Sequence, residues 1–169
     1  MTQSRSEPTP CTERPGTDRQ ATSPECSTSG CFLGARGDTF AAQLEVPVEN
    51  FLGLAAQESQ YGTGRIAREC NNYFSMHAPA KYQSGSQPAR GNPKVQVAEF
   101  SSFEDCAKSF VSRFGADVKG KKDPKEFAKA LVAAGFNSGD ASSGGRDGFI
   151  DYLVDIISAV KRRMQCSTK

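Results

Sequence analysis

Glu58 stands where a carboxyl group can do acid chemistry. It follows Phe51 by seven residues, Leu54 by four and Ala55 by three, so on a helix it shares the face that those side chains bury. It also falls in the last turn before Gly62 and Gly64, where the helix dipole disfavours an anion. Desolvation and the dipole both push a carboxyl pKa upward. A carboxyl that keeps its proton near neutral pH is what a general acid for glycosidic cleavage requires. The same spacing allows a plainer reading, a partly exposed glutamate at a helix end paired with Arg65 or Arg68.

The residues around Glu58 suit a sugar site. Tyr61, Tyr73 and Tyr82 offer apolar faces for sugar rings and hydroxyls for polar contacts, while Phe74 reads equally well as core beneath a cleft. Asn71 and Asn72 either bind N-acetyl groups or make the turn into the following segment. His77, the single histidine, is expected to face solvent from a loop. Arg36-Gly37-Asp38 is expected as a turn before the first helix. Six cysteines, Cys11, Cys26, Cys31, Cys70, Cys106 and Cys166, suggest disulfides and an oxidising destination. A bridge between Cys70 and Cys106 is the pairing expected to clamp the middle of the chain. Cys26 and Cys31 have no second close pair to join them in a zinc site, so neither a metal nor another cofactor is expected.

Several helices must position these groups. Residues 1–31 are rich in Pro, Thr, Ser and charge and read as a loosely ordered arm; residues 32–169 carry the periodic patterns of a folded domain. Phe40, Ala41 and Leu44 predict a short helix, and Pro47 opens a second over Val48 to Ser59. A helical turn follows around Ile66. From Cys70 to Phe100 the prolines and glycines, with the alternating run Val95 to Phe100, predict a small lobe of loops and short strands. Ser102 caps a helix through Phe114, and Asp123-Pro124-Lys125-Glu126 combines an N-cap, a first-turn proline and a capping-box glutamate. Gly135 stops that helix. A Gly/Ser-rich loop spans Asn137 to Gly148, and a final helix from Phe149 ends in Lys161-Arg162-Arg163. The predicted class is α+β, mainly helical.

Composition narrows the function. The 169 residues are 37% hydrophobic and 24% charged, with a net charge of +2. That charge is too small for a dedicated nucleic-acid binder, and no run reaches the roughly 18 apolar residues of a membrane span. Neither nucleic acid nor membrane is an expected partner. Met1 to Pro8 leads into more Thr, Pro and charge without the apolar stretch of a signal peptide, which conflicts with the oxidising destination that the cysteines suggest.

Four segments in order carry a family resemblance. Glu58-Ser59-Gln60-Tyr61-Gly62 resembles the E-S-x-[WY]-G part of the signature of bacterial cell-wall glucosaminidases, glycoside hydrolase family 73. Asn71-Asn72-Tyr73-Phe74-Ser75 resembles its N-N-L-F-G segment, with Ser75 in place of glycine. Val97 to Cys106 is similar to its F-R-x-Y-x-S-x-x-x-S stretch, and Ala134-Gly135-Phe136 to its A-G-Y turn. The resemblance covers roughly residues 32 to 163. It implies a lysozyme-like fold with a small β lobe beside the cleft, Glu58 as catalytic acid, and Tyr61, Asn71, Asn72, Tyr73 and Tyr82 as substrate-binding residues.

Two departures stand out. Ser75 replaces a glycine, which puts the local backbone in question. The family often carries a second acid in the β lobe, yet no Asp or Glu occurs between Glu69 and Glu99, and Glu99 aligns with a variable position. Glycosidases of both stereochemical classes normally use two carboxyl groups about 5–9 Å apart. What the resemblance implies is a peptidoglycan hydrolase cutting β-1,4 bonds of glycan strands as an N-acetylglucosaminidase. A muramidase or lytic transglycosylase is the alternative enzyme, and a non-catalytic wall-binding module the alternative from another class. A wall hydrolase without a signal peptide is reconciled with its substrate by dedicated export, such as a type VI secretion system delivering it to the periplasm of a target bacterium. An immunity protein that occludes the active site is then the expected partner.

Overall fold

Helix-forming stretches bury their apolar faces around one aromatic cluster. The computed structural model describes residues 37–138, 142 and 146–166. The arm over 1–31, its three cysteines and Arg36 lie outside the described residues. Helix α1 covers the described residues 37–44 and buries Phe40, Ala41 and Leu44. Gly37 and Asp38 therefore stand in α1 rather than in the turn expected before it. Helix α2, Val48–Ser59, begins directly after Pro47, which serves as its N-cap residue. Helix α3 follows as Arg65–Cys70.

The middle of the chain forms the expected lobe, an antiparallel pair of β1, Gly85–Ala89, and β2, Asn92–Glu99. Gly85 pairs with Glu99 and Gln87 with Val97, and the register breaks between Pro88 and Ala89. Pro88 lacks the N–H that a ladder needs, so it is tolerated on this edge. His77 bridges Val97 and remains exposed, as expected.

Helix α4, Phe103–Val118, is capped by Ser102, whose side chain accepts from Asp105 N. Helix α5, Pro124–Ala133, is capped by Asp123, which accepts from Lys125 N and Glu126 N. Helix α6, Phe149–Cys166, runs past the expected stop at Arg163. Phe51, Phe74 and Phe110 meet at the centre with ring centroids 5.1, 5.9 and 4.7 Å apart. The architecture is mainly helical α+β with a single hairpin lobe.

Three contacts hold α2 in place. Asn50 is fully buried and its Nδ2 donates to the carbonyls of Lys121 and Lys122 at 3.3 and 3.1 Å, tying α2 to the link between α4 and α5. On another face, Gly53 lets α6 approach: a Cβ there would lie 2.5 Å from Ile157 Cγ1 and 3.0 Å from its Cα. Glu49 pairs with Lys161 at 3.0 Å, so the start of α2 faces the end of α6 and the two helices run antiparallel.

The expected Cys70–Cys106 bridge is not formed. Cys70, Cys106 and Cys166 are free thiols. The Cys70 sulfur accepts a hydrogen bond from the Gln87 amide, while Cys106 faces the Asn72 side-chain oxygen at 3.8 Å. The two thiols serve separate polar contacts instead of closing the lobe.

Candidate active site

The end of α2 is a tightly specified helix stop, and its side chains explain why. The Ser59 hydroxyl donates to the Ala55 carbonyl and accepts from Gly62 N at 2.8 Å. Gln60, Tyr61 and Gly62 then take φ values of 52°, 57° and 78° in succession. Only glycine adopts that region without strain; Gln60 and Tyr61 are held there by Tyr61 N donating to Ala56 O at 2.8 Å and Gly64 N to Ser59 O at 2.9 Å. Glu58 is thus fixed one residue before the helix end.

Glu58 is half-buried and lines a cleft of about 570 Å³ between the end of α2, the loop preceding α6 and the first turns of α6. Gln57, Tyr61, Asn137, Arg146 and Tyr152 share that cleft. Burial raises the Glu58 pKa above the usual carboxylate range; the Ser75 hydroxyl, the Gln57 amide and the charge of Arg146 oppose the shift without cancelling it. Gln57 Nε2 lies 3.4 Å from Glu58 Oε1, and Ser75 Oγ lies 3.5 Å from the Glu58 carbonyl. A carboxyl poised in its neutral form can donate a proton to a leaving oxygen. Neither Arg65 nor Arg68 neutralises it, because Arg65 pairs with Glu69 at 2.7 Å and Arg68 points from an exposed position.

Ser75 takes a left-handed backbone conformation, one that glycine adopts without strain. Its φ is 50°, so the chain accepts a strained serine and gains a hydroxyl beside the acid. No second carboxylate lines the cleft among the described residues. Glu99 lies at the base of the hairpin, where its carboxylate covers Gly85, so Glu58 is the one acid among the described residues that line the cleft.

The remaining expected site residues separate into two groups. Tyr61 is 43% exposed and shares the cleft, with the Arg163 guanidinium 4.4 Å from its ring centroid. Tyr73 packs edge-on against Phe103 and lies beside Gly62. Asn71 is the left-handed cap of α3, and its Nδ2 donates to Phe100 O at 3.0 Å. Asn72 is a correction: it is 1% exposed and its amide is spent on Met76 and Ala98, so it holds the lobe to the helices and offers nothing to a ligand. Tyr82 is exposed on the lobe beside Lys81 and does not line this cleft.

Arg146, Tyr152, Asn137 and Gln57 were not anticipated. Tyr152 carried a signal, being an aromatic outside the apolar face formed by Phe149, Leu153 and Ile157. Arg146 was a lone guanidinium at the end of a Gly/Ser run. A smaller hollow of about 270 Å³ near Glu49 and Lys161 holds an already neutralised pair. Among the described residues no cluster of three His, Cys, Asp or Glu side chains could hold a metal, and no helix is long and apolar enough to cross a membrane.

Residues 37–162 match the glucosaminidase family, described as mannosyl-glycoprotein endo-beta-N-acetylglucosaminidase. A chain in the structure of a type VI secretion system effector–immunity complex from Pseudomonas protegens is 55% identical, with a TM-score of 0.74 over 82% of this chain and 93% of that one. A peptidoglycan hydrolase from Sphingomonas sp. A1 is similar in fold at 23% identity and a TM-score of 0.67, covering 82% and 94% of the two chains. The glycoside hydrolase domain of Salmonella typhimurium FlgJ is similar in fold at 22% identity and a TM-score of 0.62, covering 83% and 91%. No curated protein sequence matches significantly.

Proposed function

The chain belongs to the glucosaminidase family, and on that premise we propose that it hydrolyses the β-1,4 bonds of peptidoglycan glycan strands as an N-acetylglucosaminidase. The observation that carries this reading is Glu58, a half-buried acid of raised pKa fixed at a helix end and open to a cleft of about 570 Å³. Glu58 donates its proton to the glycosidic oxygen as the bond breaks. The second role falls to a neutral group, either the substrate's own 2-acetamido oxygen attacking the anomeric carbon or a water bound opposite Glu58. Retention of anomeric configuration marks the first and inversion the second.

The likeness to a chain from an effector–immunity complex supports a biological setting. The protein acts as an antibacterial type VI effector, delivered to the periplasm of a target cell, and an immunity protein covers its cleft in sister cells. The test is dye release from purified peptidoglycan by wild type and Glu58→Gln. A glutamine cannot donate the proton, so activity falls by about two to four orders of magnitude while the fold is kept. Mass spectrometry of the products shows reducing N-acetylglucosamine ends; reducing muramic acid ends or anhydro ends would assign the bond to a muramidase or transglycosylase instead. Equal lysis by wild type and mutant would remove Glu58 from the mechanism.

A further inference from the structure

We propose that Arg146 makes the cleft selective for glycan strands bearing a free carboxylate, which its guanidinium binds beside Glu58. This rests on the peptidoglycan reading and extends it by naming the charged substituent recognised. Arg146 and Glu58 line the same cleft, yet they form no ion pair, and no other described carboxylate pairs with Arg146. The guanidinium instead lies 3.7 Å from the centroid of the Tyr152 ring. Stacking of this kind engages the face of the guanidinium and leaves its in-plane N–H donors for an acceptor.

The backbone of Arg146 is anchored on both sides. Its N–H donates to Asn137 Oδ1 at 3.1 Å, and its carbonyl accepts from Phe149 N at 3.2 Å. In the same cleft, burial raises the Glu58 pKa while the Arg146 charge lowers it, so the two groups feel one another without forming an ion pair. The cleft therefore sets an acid of raised pKa beside a cation anchored through its backbone and stacked on Tyr152. Sugar hydroxyls have no need of such a group, whereas a planar fork of N–H donors matches a carboxylate in both charge and shape. Peptidoglycan supplies carboxylates from two sources: the lactyl group of peptide-free strands and the stem peptides of substituted ones.

Binding to the full-length Glu58→Gln protein, which stops turnover, distinguishes these sources. The probes are peptide-free strands, peptide-bearing strands, and each of these with its carboxylates methyl-esterified. Esterification is expected to weaken binding roughly tenfold for the strand type whose carboxylate is read. Adding Arg146→Gln is expected to abolish that difference, and Arg146→Lys, which keeps the charge without the fork, to retain part of it. Equal affinity for free and esterified strands would overturn the proposal. So would an Arg146→Gln protein that weakens free and esterified strands alike. Wall lysis by the wild type, measured separately, decides the peptidoglycan reading; its absence would remove both.

Discussion

Replacing Asn72 by alanine should cost the fold, not the chemistry. Asn72 Nδ2 donates to the carbonyls of Met76 and Ala98, each at 2.8 Å, and its Oδ1 accepts from Met76 N at 2.9 Å. The Met76 carbonyl keeps a second partner in Ala98 N at 3.0 Å. Three backbone groups lose their Asn72 partner, and two of them, the N–H of Met76 and the carbonyl of Ala98, are left unsatisfied. Each buried group left unsatisfied costs about 1–3 kcal/mol, so Asn72→Ala should destabilise by about 2–6 kcal/mol, a large part of a total stability of about 5–15 kcal/mol. Urea unfolding followed by far-ultraviolet circular dichroism suits a chain without tryptophan. The midpoint should fall with little change in slope. A variant within about 1 kcal/mol of wild type that nevertheless loses glycan binding would refute the structural role and return Asn72 to the substrate.

Other expectations follow from groups near the acid and from the thiols. The raised pKa of Glu58 means that its contribution to stability is fully present below the ordinary glutamate range and is lost as pH rises through its folded value. Glu58→Gln should therefore gain stability relative to wild type as pH rises above the ordinary glutamate range, and a difference that stays flat with pH would contradict the raised pKa. Ser75 favours the charged form of Glu58, so Ser75→Gly should move the alkaline limb of the pH–rate profile upward while relieving the strain of φ 50°; an unmoved limb would show that the hydroxyl does not act on the acid. Burial pushes the Cys106 thiol up to about 12, whereas Cys166 is exposed. Alkylation of the folded protein near pH 8, read by peptide mass spectrometry, should label Cys166 and spare Cys106, and rapid labelling of Cys106 would contradict its burial.

Local patterns revealed the acid but not its surroundings. Glu58 was legible because Phe51, Leu54 and Ala55 mark one helical face, and that face is buried as the spacing requires. The hairpin was legible from its prolines, its glycines and the alternating run into Phe100. Arg146 and Tyr152 were not, because they reach the cleft only through the antiparallel packing of α2 against α6, a contact between segments some ninety residues apart. Asn72 was ambiguous because an asparagine after a helix suits a turn as well as a ligand, and only its bond to Ala98, 26 residues away, decides the matter. The spacing of Cys70 and Cys106 suggested a clamp, but their sulfur atoms meet different amides.

The segment Glu58 to Gly62 can be understood as one mechanical unit. A general acid needs burial to stay protonated, yet it also needs an open side facing the substrate. Burial of the carboxyl raises its pKa, and the helix that carries it is fixed by the buried side chains of Phe51 and Leu54 on the preceding two turns. The abrupt left-handed exit through Gln60, Tyr61 and Gly62 removes the helix from in front of the carboxyl and turns Tyr61 into the cleft. Ser59 makes that exit possible by bonding both the Ala55 carbonyl behind it and the Gly62 N–H ahead of it. Ser59 and Gly62 thus act on the backbone, whereas Tyr61 accepts a left-handed backbone and brings its ring to the cleft. Among the described residues the cleft holds one acid of raised pKa, the cation of Arg146 stacked on Tyr152, and two exposed tyrosine rings, Tyr61 and Tyr152. On the proposed mechanism, Glu58 of that set delivers the proton, Arg146 orients a charged glycan, and the anomeric carbon is left to a neutral nucleophile.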